Sequence, residues 1–125
     1  MSSPIVTFDS AQLAAMVERL PLSSVDELPF GAVHLDANGT VLFFSKREAE
    51  LSGLRDRPVT GLNFFHDVAP CMNNPKFKGR VDAAVAVGRL DLEFNHTGDF
   101  ADRNRTLHVR AQSGSDGSIW LFLAR

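Results

Sequence analysis

Five residues, Ser113-Gly114-Ser115-Asp116-Gly117, separate two runs rich in apolar residues, Thr106 to Gln112 and Ser118 to Ala124. Glycine accepts positive φ, and serine and aspartate side chains bond nearby backbone, so this stretch reverses the chain and the two runs form a hairpin. A third run, Leu90 to Thr97, precedes them and commits the last third of the chain to antiparallel strands. A second reversal, Asp36-Ala37-Asn38-Gly39, stands between Phe30 to Leu35 and Thr40 to Phe44 and predicts another hairpin. Ser45 is placed to cap a short helix over Lys46 to Leu51, which Gly53 closes. Asn74-Pro75 supplies a cap and a first-turn proline for a longer helix that ends at Gly88. Phe77, Val81, Ala84 and Val85 fall on one face of it. Upstream, Ser10 is placed to cap a helix carrying Leu13, Val17 and Leu20, stopped by Pro21. Ser23 to Glu27 reads as one more helical turn or a loop.

The predicted class is α+β, a central five-stranded antiparallel sheet flanked by helices. Residues 1–28 form an N-terminal helical cap in this reading, and 29–125 form the main domain. With 125 residues the chain fits one domain with a core of its own. A formal charge of −2 with both signs interspersed gives no electrostatic footprint for nucleic acid. No basic-then-apolar leader and no run of about 18 apolar residues are visible, so neither export nor membrane insertion is expected and the chain is assigned to the cytoplasm.

Cys71 is the sole cysteine, which excludes an intrachain disulfide and fits a reducing compartment. An unpaired cysteine commonly serves as a small buried hydrophobe. The run that leads to it is more specific: Gly61-Leu62-Asn63-Phe64-Phe65-His66-Asp67-Val68-Ala69-Pro70-Cys71. This run resembles the chromophore-attachment segment of the photoactive yellow protein family, small bacterial blue-light receptors. The likeness extends to Leu28-Pro29-Phe30-Gly31-Ala32-Val33, to Leu35-Asp36-Ala37-Asn38-Gly39 and, more loosely, to Phe77 and Ile119-Trp120-Leu121-Phe122. The order of elements is likewise that of a PAS domain.

The resemblance implies a PAS-fold photoreceptor with p-coumaric acid (4-hydroxycinnamic acid) held as a thioester on Cys71. It implies signalling by trans–cis isomerisation, with proton transfer from Glu48 and partial unfolding of the cap, and no substrate turned over. Matched position by position, Glu48 stands for the family's protonated glutamate and Ser52 for a hydroxyl residue. Phe44 replaces a tyrosine and Leu54 an arginine, with Arg55 adjacent. Phe64, Val68, Ala69 and Phe100 complete the expected cofactor-binding set. Glu48 and Ser52 lie four apart, so a helix puts them on one face, within reach of one oxygen. Phe44 cannot donate a hydrogen bond, and the chain has ten Phe, one Trp and no Tyr. The segment at Gly98, Phe100 and Asp102 departs from the larger side chains of the family. A downstream signalling protein is implied but not identified.

Two other classes stay open on the residues alone: a light-insensitive PAS module for ligand binding or protein interaction, and a thiol redox sensor using Cys71. The four histidines, His34, His66, His96 and His108, lack zinc-site spacing and read as surface or strand-packing residues. Cys71 with His66 and Asp67 is a poor match to thiol hydrolases, which assemble Cys and His from separate segments. Gly31 and Gly39 are isolated, not a phosphate-binding loop. Arg103, Arg105 and Arg110 read as a solvated strand face. A helix start at Asn74-Pro75 would also favour the Cys71 thiolate.

Overall fold

A computed structural model describes residues 6–99 and 102–125. Two short helices come first, α1 (Leu13–Glu18) and α2 (Leu22–Asp26), then β1 (Gly31–Leu35), β2 (Val41–Phe44) and α3 (Lys46–Ser52). A π-helical turn (Phe64–Val68) and a 3-10 turn (Pro70–Met72) lead to α4 (Lys78–Ala86), β3 (Asp91–Asp99), β4 (Asp102–Ser113) and β5 (Ile119–Ala124). The sheet has the order β2-β1-β5-β4-β3, and every neighbouring pair is antiparallel. No helix among the described residues is long and apolar enough to cross a membrane.

Successive strand residues face opposite sides, and β5 shows how both sides are used. Ile119, Leu121 and Leu123 enter one cluster with Val33, Leu35, Val109 and the segment Phe64 to Met72. Trp120 and Phe122 enter the other, with Leu13, Ala14, Val17 and Val25 from the N-terminal helices. The cap helices and the Cys71 segment thus lie on opposite faces of one sheet.

Several expected boundaries hold. Ser45 accepts from the Glu48 amide at 3.1 Å, and Gly53 closes α3 at φ 85°, a conformation that favours glycine. Others move. Ser10 does not cap α1, because its hydroxyl is engaged with Thr7, whose amide it accepts at 3.2 Å. The helix is capped from the sheet instead: Gln112 Oε1 accepts from the Ala14 amide at 2.8 Å, and Gln112 Nε2 donates to the Ala11 carbonyl at 2.9 Å. The helix expected at Asn74-Pro75 begins at Lys78. Asn74 does cap, accepting from the amides of Lys76 and Phe77, but the turn it caps precedes α4. Val85 is 41% exposed, since it lies on the flank of the stripe opposite Phe77 and Ala84.

Arg110 is buried rather than solvated. Its Nη1 donates to the carbonyls of Phe8 and Ser10 at 2.8 and 2.6 Å. β4 begins at Asp102, upstream of the expected Thr106, because it pairs with β3 beyond the apolar residues that mark a strand in the sequence. Gln112 and Arg110 therefore fasten the N-terminal segment to β4 across separations of 98 to 102 positions. Gln112→Ala should lower unfolding free energy by about 0.5–2 kcal/mol, the usual cost of a lost helix cap, and urea unfolding monitored by circular dichroism measures it.

Candidate functional site

The Cys71 segment is shaped locally. Asn63 accepts from the His66 amide at 2.9 Å, and Asp67 accepts from the Asn63 amide at 3.0 Å. This reciprocal pair winds the π-helical turn, and the Ala69 amide closes it on the Phe64 carbonyl at 2.7 Å. Asp67 is held below the usual carboxylate range by the His66 hydrogen bond and by the Asn63 amide. Phe64, Phe65, Val68, Ala69 and Met72 are buried and pin the turn to the sheet. Cys71 is half-buried on the 3-10 turn, and the Asn74 side chain donates to its carbonyl at 3.0 Å. Phe44, Leu54 and Cys71 all pack, partly buried, against one apolar cluster. Phe100 lies outside the described residues.

Glu48 and Ser52 part company. The Ser52 hydroxyl donates to the Ala49 carbonyl and accepts from the Leu54 amide, both at 3.4 Å, so it closes the end of its own helix. Glu48 is fully buried and turned toward the sheet. A methyl group on Gly31 would coincide with its carboxyl, so a glycine at the start of β1 is the condition for this acid to be inside. Arg125 Nη1 and Nη2 donate to the two Glu48 oxygens at 2.7 and 2.9 Å. The same guanidinium donates to Asp99 through Nε and Nη2 at 2.7 and 2.8 Å. Arg105 Nη1 adds a 3.0 Å contact to Asp99.

Burial pushes the Glu48 carboxyl up to about 7, with the hydrogen bonds and charge of Arg125 pulling it back and Asp99 adding to the rise. Burial by itself would lower the Arg125 guanidinium, but Glu48 and Asp99 outweigh it and hold it above its ordinary value. Glu48 therefore exchanges its proton near neutrality with a fixed cation beside it.

Neither Arg125 nor Asp99 belonged to the site expected from sequence. Arg125 was legible in part, since it continues the inward row Ile119, Leu121, Leu123 by alternation. Asp99 was not. It breaks the alternation because β3 carries a bulge between Thr97 and Asp99, at Gly98 with φ 121°, and a bulge of this kind re-aims the next side chain.

His96 is a further residue the sequence left in the background. It is 6% exposed and packs edge-on to Phe77 at 5.1 Å. Burial lowers its pKa, a hydrogen bond to the Cys71 main chain raises it, and Arg80 and Lys76 lower it further. Its Nε2 has no hydrogen-bond partner among the described residues.

A curated relative from Rhodothalassium salexigens, named photoactive yellow protein, is 36% identical over 104 residues, spanning 82% of this chain and 83% of that one. The chain belongs to the photoactive yellow protein family. Among solved structures, the photoactive yellow protein domain of the sensor histidine kinase Ppr from Rhodospirillum centenum superposes with a TM-score of 0.77 at 31% identity, covering 87% of this chain and 96% of that one. A PAS domain of the histidine kinase ThkA shares the fold, with a TM-score of 0.54 at 12% identity over 77% of this chain and 98% of that one. No protein-family model matches. Within the photoactive yellow protein family, then, this PAS-fold member carries a buried glutamate that is paired with Arg125, the residue that follows β5.

Because Glu48 binds its proton more tightly when folded, folding takes up a proton between its ordinary 4.5 and about 7. Stability from this group accordingly falls as pH rises through that window, by at most about 1.4 kcal/mol per pH unit for one proton. Glu48→Gln should flatten that part of the stability-against-pH curve, and urea unfolding at several pH values across the window measures it. An unchanged slope would mean that another group carries it.

Proposed function

We propose that this protein is a cytoplasmic blue-light receptor that carries p-coumaric acid as a thioester on Cys71. The observation that supports the reading best is the setting of Cys71. The only thiol of the sequence sits half-buried against an apolar cluster that Phe44 and Leu54 also border, in a member of the photoactive yellow protein family. The residues suit such a group: one thiol for attachment, apolar walls from Phe64, Val68 and Ala69, and a buried acid that exchanges its proton near pH 7. When bound, the group supplies visible absorption and a double bond that light isomerises.

The chain's own residues do the rest. Cys71 Sγ bonds to the acyl carbon of an activated donor, and the leaving group departs with the thiol proton. The apolar walls exclude water, which strengthens every electrostatic contact within them. Glu48, when protonated, can release that proton to a ligand oxygen. Phe44 offers a ring face and no donor, so an anionic ligand oxygen lacks one charge-assisted hydrogen bond, worth roughly 1.5–3 kcal/mol. Change at the site has to cross the sheet to reach α1 and α2. The contacts available for this are those of Gln112 with α1 and of Glu18 with Trp120 Nε1 at 3.3 Å. Loosening of these cap contacts is the signal in this reading, passed to a partner protein.

Incubation of the thiol-intact protein with an activated p-coumaroyl donor should add one acyl group, located on Cys71 by peptide mass mapping, together with a visible absorption band. Cys71→Ser should abolish both. Acylation at another residue, or none with the thiol intact, would refute the assignment.

A further inference from the structure

The Glu48 carboxylate and the Arg125 guanidinium form a buried two-point contact, with side-chain exposures of 0% and 7%. Asp99, 1% exposed, holds the other edge of the same guanidinium. The charged groups that face Glu48 come from two directions: Arg125 beyond β5, and Asp99 at the end of β3, itself bonded by Arg105 of β4 at 3.0 Å. From β1, Gly31 contributes only space. Two carboxylates and two guanidiniums balance in charge, so the arrangement described is that of ionised Glu48.

Protonation changes this geometry. A protonated carboxyl is neutral and carries an O–H donor on one oxygen, whose acceptor capacity is reduced. The charge-assisted two-point contact is then lost, and a proton on the edge that faces Arg125 opens one arm of it. The protonation state of Glu48 and the grip of Arg125 are thus two descriptions of one switch, with Asp99 keeping the guanidinium in place in both.

We propose that Arg125, anchored by Asp99, is the positioning residue that receives Glu48 when it ionises, so that the new charge is neutralised inside the fold and Arg125 limits how far the structure loosens. This rests on the photoreceptor reading for the source of the ionisation. When Glu48 passes its proton to a ligand oxygen, its O–H bond breaks and the electron pair stays on the carboxylate. Arg125 then closes both arms on it. A buried carboxylate with no such partner is strongly destabilising, which favours reprotonation or opening of the structure, whereas here the partner stands beside it at 2.7 Å. The bulge at Gly98 is what turns Asp99 inward to hold that partner.

The test has two arms. In the protein without chromophore, carbon-13 nuclear magnetic resonance of labelled glutamate follows the Glu48 titration in wild type, Arg125→Gln and Arg125→Lys. Loss of an adjacent opposite charge should move the Glu48 midpoint up by about 1–3 pH units in Arg125→Gln. Arg125→Lys keeps the charge but not the fork, and should give a smaller upward shift; it also carries the test if Arg125→Gln does not fold. A merely structural role would lower stability and leave the midpoint where it was, and that result would overturn the proposal. In the second arm the same proteins are loaded on Cys71 and illuminated. Amide exchange in α1 and α2 should quicken in Arg125→Gln, by up to about tenfold for each unit by which the midpoint moved. Arg125→Lys should restore most of the protection. Equal or slower exchange in Arg125→Gln would also overturn the proposal. A protein that cannot be loaded at all refutes the photoreceptor reading, and the titration then decides the role of Arg125 by itself.

Discussion

β5 is apolar on both faces, and the rest of the molecule is arranged around that requirement. A strand whose alternate residues all need burial must lie in the interior of a sheet covered on two sides. β5 sits between β1 and β4, with Leu121 and Leu123 directed to one layer and Trp120 and Phe122 to the other. The cap is therefore one wall of the molecule. Without α1 and α2, Trp120, Phe122 and Ala32 would lose Leu13, Ala14, Val17 and Val25 from the cluster they share.

The two layers differ in kind. The cap side is closed by aromatic packing and by hydrogen bonds to main chain. Phe30 sits edge-on to Phe8 at 5.4 Å and to Phe122 at 6.0 Å, while Gln112 and Arg110 bond the N-terminal backbone. The opposite side holds the Cys71 turn and the buried ionic cluster. Polar groups placed in that layer are matched with few exceptions, as the cost of an unmatched buried group requires. The exception beside Cys71 is His96 Nε2.

Placing Glu48 inside has consequences in three other elements. β1 must begin with a residue that has no side chain, β5's inward row must extend to a cation, and β3 must bulge to bring Asp99 beneath that cation. None of these is a local preference of α3. The Lys46 to Ser52 helix would form equally well with Glu48 in solvent, since its Ser45 cap and Gly53 stop do not depend on the carboxyl. The buried position is decided by a glycine, an arginine and an aspartate distant from it in sequence, and a carboxyl set among them answers to its surroundings more than to its own ordinary acidity.

What the sequence determined by itself was local and periodic. The turns at Asp36 to Gly39 and Ser113 to Gly117, the Ser45 cap, the cores of the strand runs and the buried stripe of Phe77, Val81 and Ala84 follow from φ preferences, short-range hydrogen bonds and periodicity, all of which act within a few residues. Its segment around Cys71 was specific enough to point to the family, and it marked Glu48, Phe44 and Leu54 as positions to watch. Tertiary structure decided the rest. Gln112 displaced Ser10 as the cap of α1, and Arg110 moved from an expected solvated face to the interior, because main-chain groups of the N-terminal segment come to rest against β4. Ser52 turned back on its own helix, while Glu48 found Arg125 and Asp99, which stand 77 and 51 positions along the chain from it. Partners at such separations are fixed by how strands are ordered and where a bulge falls, and no spacing within a single element encodes either.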